Sequence, residues 1–448
     1  MPHPTALIAT IAAGIGLAFL FGLLAVRLRL PPLVGYLLAG VAIGPFTPGF
    51  VADIGLAQQL AEIGVILLMF GVGIHFSVGD LLAVRRIAVP GAAVQIAIAT
   101  VLGAGAARLW GWSWGSGIVF GLCLSVASTV VLLRALEDRG LLDSVDGRIA
   151  VGWLVVEDLA TVLVLVLLPA LAVQLGGSGG GAAGGSLVST LGLTLAKVSA
   201  FVALMFVVGR RAVPWLLERV ARIGSRELFT LSVLTVALGI AVGASALFGV
   251  SFALGAFFAG MVVNGSDLSH EAAADALPLQ DAFSVLFFVA VGMLFDPTIL
   301  IRQPLEVLAV VLIVLVGKSV GAFWIVVAFR YPVHTALTIS ASLAQIGEFS
   351  FILAALGVGL RLLPAEGQSL IVAGALLSIS VNPFVFGAAT RLSRWIGARP
   401  ELLARLEGAV DEPVAAAEGP ALRDHVIIVG YGRVGGTIGA ALARQDIP

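Results

Sequence analysis

Apolar residues run along this chain in blocks of about twenty, each long enough to cross the roughly 30 Å hydrocarbon core of a bilayer as one α-helix. Short stretches rich in arginine, proline and glycine cut the blocks apart. The pattern predicts spans near 5–26, 33–47, 57–78, 87–109, 116–136, 149–173, 188–211, 227–246, 249–264, 279–296, 304–329, 334–358 and 368–391, about thirteen in all. The second is short and begins at Pro31 and Pro32, which marks a tilted or partly re-entrant helix. The fold class expected is an all-α polytopic membrane protein.

Arginine placement sets the orientation, because short cytoplasmic loops hold the excess of basic residues. With the amino terminus outside, the outer loops receive Arg108, Arg302 and Arg361, and the other arginines as far as Arg399 fall inside. Miscounting one early span would destroy that partition. The reading is therefore amino terminus outside, carboxyl terminus cytoplasmic, in a bacterial inner membrane with lipid around the helices.

Composition agrees: 60% of the 448 residues are hydrophobic and 11% charged, whereas soluble domains carry about 25% charge. The net charge of −1 belongs to loops and a few intramembrane positions, and supports no nucleic-acid partner. Cys123, the single cysteine, leaves no intrachain disulfide and reads as a small apolar packing residue. The opening stretch 1–26 lacks a basic leader region and is long enough to span, so it reads as a span rather than a cleaved signal. The Gly/Ser run 176–186 reads as a flexible outer linker.

Two pairs of spans resemble each other in one register. ILLMFGVGIHFS (66–77) matches VLFFVAVGMLFD (285–296), pairing Gly73 with Gly292, and LAGVAIG (38–44) matches FAGMVVN (258–264), pairing Gly40 with Gly260. The two pairings keep almost the same offset along the chain, and an odd number of spans separates the copies, so the copies face opposite ways. This is the pattern of an inverted-topology repeat, in which substrate sites lie near the midplane between discontinuous helices. The same register pairs LCLSVASTVVLL (122–133) with ISASLAQIGEFSFIL (339–353), both interrupted by small and polar residues. Two crossed broken helices are expected there.

Candidate chemistry is sparse and therefore conspicuous. Glu157 and Asp158 sit inside VGWLVVEDLATVLVLVLLPAL, where each ionised acid costs roughly 2.5–3.5 kcal/mol on insertion scales. Asp158 reads as a cation or proton site facing a wet cavity; Glu157 reads either the same way or as an acid neutralised by a buried base. Lys318, deep in its own span, must be paired, wet or neutral, with Glu157, Asp158 and Glu348 as candidate partners. Lys197 lies near an interface and reads as snorkelling. Ser125, Ser128 and Thr129 fit ion coordination or ordinary helix packing equally. Gln345 and Glu348 read as site residues or as members of a structural polar network. Glu62, His75 and Asp296 fall near span ends and read as interface or loop residues. No nucleophile with a base and no metal-ligand cluster is visible, so an enzyme is not expected.

Taken together, WLVVEDLA, LAQIGEFSFIL, FFVAVGM and DHVIIVGYGRVGG resemble the Kef-type, YbaL-like branch of the monovalent cation:proton antiporters, within the wider sodium/proton antiporter superfamily. The resemblance covers essentially the whole chain. It implies a core domain with two crossed broken helices, a dimerisation domain, a homodimer, and elevator-like alternating access. It assigns Asp158 the ion- and proton-binding aspartate, and Lys318 a membrane lysine that in some relatives pairs with the preceding acid. Glu157 departs from the better-known Kef pattern, which has glutamine there, and so does Ile346, where that pattern has glycine.

From Asp424 the chain changes character. HVIIVGYGRVGGTIGAALARQ is a β-strand followed by Gly430, Gly432 and Gly435 in a G-x-G-x-x-G loop and an amphipathic helix, the opening of a Rossmann unit. By resemblance it begins a regulatory nucleotide-binding domain, but one strand and one helix cannot bury their own faces. This truncated α/β segment is not expected to hold a nucleotide. The domains expected are 1–400 for transmembrane exchange, 401–423 as a cytosolic linker and 424–448 as the incomplete Rossmann segment. The function expected is exchange of K+, ahead of Na+, for H+; the alternative is a ligand-gated cation channel, which would need a continuous pore or filter.

Overall fold

Serine and proline set many of the helix starts. Ser113, Ser128, Ser144, Ser225 and Ser251 each accept a backbone N–H from the first turn of the helix they precede, and Pro32 and Pro304 occupy the first helical position, where no N–H is missed. The structure is a computed structural model that describes residues 6–48, 50–75, 78–142, 144–178 and 187–407, with Leu442 alone beyond them. The Gly430, Gly432 and Gly435 loop and most of the 176–186 linker lie outside the described residues, so the expected α/β segment is not part of the described fold.

Among the described residues all regular structure is helical. In order the helices are α1 (Ala6–Arg27), α2 (Pro32–Ile43), α3 (Ile54–His75), α4 (Val78–Leu109), α5 (Trp114–Ser125), α6 (Thr129–Glu137) and α7 (Val145–Leu171). Then come α8 (Leu187–Leu204), which runs through a π-helical turn at Met205–Gly209 into α9 (Arg210–Ala221), followed by α10 (Arg226–Phe248), α11 (Phe252–Asn264), α12 (Ser269–Met293) and α13 (Ile299–Arg302). The series ends with α14 (Pro304–Leu312), a second π-helical turn at Ile313–Lys318, α15 (Ser319–Ala328), α16 (Val333–Leu343), α17 (Glu348–Gly359), α18 (Ala365–Gly397) and α19 (Pro400–Glu407).

Ten stretches of helix among the described residues are long and apolar enough to cross a membrane, and the pair α16 and α17, bent by 45° at its break, makes an eleventh. The chain is a multi-pass membrane protein. Each of the thirteen predicted segments falls on helix, but α2 and α11, at 12 and 13 residues, cover only about 18–20 Å at 1.5 Å per residue. Hydropathy alone cannot separate such a short helix from a full span. Prediction also began α12 late, near 279 rather than at Ser269, because its first turns are polar and amphipathic.

Helix ends recur along the chain at a nearly constant spacing. Left-handed caps fall at Arg29 and Gly249, at Gly111 and Arg330, and at Gly140 and Arg361, three pairs whose separations are almost equal. The matched helices also touch each other reciprocally. A Cβ on Gly40 of α2 would lie 2.8 Å from the Gly292 Cα of α12, and one on Gly73 of α3 would lie 3.1 Å from the Gly260 Cα of α11. Gly40 and Gly260, like Gly73 and Gly292, are the positions paired by sequence register. No side chain fits at either contact, so α2, α3, α11 and α12 meet backbone to backbone. These four, flanked by α1 and α10, form one group; α4 to α7 and α14 to α18 form a second, and α2 against α18 bridges them. The stretch assigned to a cytosolic linker begins with α19, whose Leu402, Leu403 and Leu406 pack on Val333, Leu337 and Ile396.

Candidate functional site at the helix crossing

The centre of the second group is the place where α5–α6 and α16–α17 interrupt and cross. Val126 and Ser128 are extended between α5 and α6, and Gly347 is extended just before α17. The two stretches bond to each other: Gly347 N–H donates to Val126 O at 3.0 Å. Gln345 closes the same contact from its side chain, accepting the Ser128 N–H at 3.2 Å and donating to Ser128 O at 3.1 Å. An interrupted helix strands backbone groups that hydrocarbon cannot satisfy. Here each break satisfies much of the other's need. The broken pair predicted from sequence is thus brought together at Ser128 and Gln345.

The acids surround that crossing. Asp158 of α7 is 4% exposed; its Oδ2 accepts the Thr129 hydroxyl at 3.2 Å, and its Oδ1 has no protein partner. Glu348, 1% exposed, opens α17 and faces Ser128 and Thr129 without closing a hydrogen bond through either carboxyl oxygen. Glu348 and Glu157 both lie within electrostatic reach of Asp158. The N-termini of α6 and α17 point their partial positive ends into the same space. Open carboxylate oxygens beside two helix N-termini form a site that can take up a small cation or a proton and release it.

Glu157 and Lys318 are both fully buried. They lie within electrostatic reach of each other, yet Lys318 Nζ donates to the Gln345 carbonyl at 3.3 Å and no direct ion pair forms between the two. Glu157 instead accepts from Gln95 and from the Ala127 backbone. Ser125 donates to Leu122 O at 2.8 Å. Asp296 stays in its loop, accepting from Thr298, as expected of a span-end residue. Cys123 is a buried free thiol.

Sequence reading missed Gln95, Ser378 and Asn382. Ser378 of α18 accepts the Ile346 N–H at 3.3 Å, and Asn382 donates to Ala341 O at 2.9 Å, so α18 carries the polar support of the second break. It also missed Asp281, which with Tyr36, Arg134, Gln280 and Asn382 lines a cavity of about 820 Å³. That cavity reaches Val130, the residue next to Thr129. One side of the crossing is therefore flanked by a vestibule of mixed lining, with apolar residues alongside the charged ones.

Buried acids at the crossing of two interrupted helices, beside a cavity lined by Arg134 and Asp281, mark the centre of this multi-pass membrane protein as its candidate site. The chain belongs to the sodium/hydrogen exchanger transmembrane family, whose pattern it matches over residues 15–391. It is 60% identical to the Putative cation/proton antiporter YbaL of Escherichia coli (strain K12), across 100% of this chain and 79% of that protein. It is 32% identical to the Putative K(+) efflux antiporter KefB of Alkalimonas amylolytica, across 94% of this chain and 62% of that one. The sodium proton antiporter MjNhaP1 of Methanocaldococcus jannaschii at pH 8 shares the fold with a TM-score of 0.60 at 17% identity, covering 86% of this chain and 98% of its own. The Kef-type, YbaL-like resemblance read from the sequence holds.

Proposed function

We propose that this protein exchanges K+, ahead of Na+, for protons by elevator-type alternating access, in a thirteen-span inverted repeat. The observation that carries the reading is Asp158, buried at the crossing with one carboxylate oxygen open. Asp158 exchanges the proton for the cation; Ser128, Thr129, Gln345 and Glu348 shape and polarise the site; Lys318 balances its charge, and Glu157 adjoins it. The regular recurrence of left-handed caps and the reciprocal glycine contacts support the repeat. The grouping of α1–α3 with α10–α12, apart from the broken helices, supports a scaffold against which a core moves. K+ is ranked first because the KefB relative is named for K(+) efflux. Burial of the acids within the crossing favours a carrier over a channel.

Placed with its amino terminus outside, the domain turns the vestibule lined by Arg134 and Asp281 toward the cytoplasm, an inward-facing state in a bacterial inner membrane. The sequence resemblance further reads 424–448 as the incomplete start of a regulatory nucleotide-binding domain and assigns a homodimer to the assembly, with contacts outside the broken-helix core. Purified protein in proteoliposomes is expected to move K+ against an imposed pH gradient, with Na+ slower. Flux that persists without proton counter-movement would point to the channel instead. In nanodiscs the active species is expected to be a dimer; an active, monodisperse monomer contradicts that assembly.

A further inference from the structure

Gln95 has no exposed surface in α4, and its Nε2 donates to Glu157 Oε1 at 2.6 Å. Its own Oε1 has no partner. The second carboxylate oxygen of Glu157 accepts the Ala127 N–H at 3.0 Å. Ala127 belongs to the extended stretch between α5 and α6, where the helical acceptor for that N–H has been lost. Both oxygens of Glu157 are therefore held by uncharged donors. The Trp153 indole N–H, one turn earlier on α7, is buried beside the same carboxylate. Asp158, the next residue, keeps an oxygen open, and Glu348 keeps two.

The second half of the chain repeats the device without a charge. Ile346 stands at the other break, and its N–H is taken by the Ser378 hydroxyl of α18. Ile346 follows Ala127, and Ser378 follows Glu157, at spacings inside the range set by the left-handed caps. In each half, then, the span after the broken one lends a polar side chain to the stranded N–H. A hydroxyl does this work at Ser378, so the work itself needs no ion.

We propose that Gln95 and Glu157 are a positioning pair: Gln95 fixes the Glu157 carboxylate, Glu157 holds the Ala127 N–H, and the break is thereby set so that Thr129 meets Asp158. Glu157 is then not a second transported-ion ligand, which goes beyond the reading of Asp158 as the exchanging acid while resting on it. Gln95 is a residue neither the motifs nor the family resemblance picks out.

The test is proteoliposome exchange with K+ and, in parallel, Na+, scored both as rate and as the combination of ion gradient, pH gradient and voltage at which net flux vanishes. That null point reads the charge moved per cycle, which a packing residue does not alter. In Glu157→Gln the new carbonyl still accepts from Ala127, and the new amide donates to Gln95 Oε1 once the Gln95 amide turns over. Its rate is expected within about threefold of the parent with the null point unchanged, although Lys318 loses a nearby negative charge and stability falls. Glu157→Leu leaves the buried N–H bare and is expected to lose at least about tenfold in rate. Gln95→Leu is expected to slow exchange in the same direction, and the swapped pair Gln95→Glu with Glu157→Gln to restore it at the parental null point. A folded Glu157→Gln or swapped protein whose null point moves, or whose exchange stops, overturns the proposal. If Asp158→Asn exchanges at the parental rate, the antiport reading fails instead, and the two failures are distinct.

Discussion

Asp158→Asn stops exchange and leaves the protein folded. Asparagine has the shape of aspartate, so it still accepts from Thr129 and the crossing keeps its geometry. What it lacks is the negative charge that a desolvated cation or a proton must neutralise, and no neighbouring carboxylate has both its position on α7 and its open oxygen beside α6. Removing a charge from a site this buried relieves desolvation, so the thermal midpoint is expected to hold or rise. Flux falls to that of protein-free liposomes. Near-parental flux in a folded Asn variant would remove Asp158 from the mechanism altogether.

Gly347→Ala has the second largest expected effect, and it acts on structure first. A Cβ there would sit 2.2 Å from the Ala127 carbonyl oxygen and 2.8 Å from the Ser128 nitrogen. These are backbone atoms, and the two extended stretches are tied by the bond from Gly347 N–H to Val126 O. Neither side can rotate away as a side chain would. Overpacking costs typically about 1–3 kcal/mol and occasionally more, and here relief requires breaking the crossing. The expected outcome is a clear drop in thermal midpoint together with lost exchange. Gly239→Ala in α10, where a Cβ meets nothing within 4 Å, is the control and should be neutral or stabilising. Equal midpoints for the two variants would show that the crossing is looser than its distances imply.

The parts of this fold that could be read from sequence are those with a period or a rarity. Blocks of apolar residues located every long helix, and acids or a lysine inside such blocks are expensive enough that Asp158, Glu348 and Lys318 stood out. The register between Gly73 and Gly292 came from short matches, yet it led to the breaks at Val126–Ser128 and before Gly347. What stayed hidden depends on orientation around a helix axis. Gln95 is one uncharged amide in an apolar run, indistinguishable in sequence from one facing a headgroup. Ser378 and Asn382 looked like ordinary small or polar members of a long span. The partner chosen by Lys318, a backbone carbonyl, has no sequence signature because every residue offers one. The shortness of α2 was legible from its prolines, whereas α11 starts later than its predicted 249–264 because Ser251 caps it at Phe252.

The π-helical turn Ile313–Lys318 has a consequence of its own. Such a turn is a helix holding one residue too many, and Lys318 is its last residue, turned inward onto Gln345. Deleting one residue from Val314–Gly317 would restore ordinary winding while the helix on either side of the turn keeps its facing. The wide turn thus takes up its extra residue within Ile313–Lys318 itself, and α14 and α15 keep the faces that they turn to α18 and to α4 and α16. One residue fewer in this turn is therefore expected to be tolerated better than one fewer in an ordinary turn of the same helix, a comparison that no scan of substitutions can make.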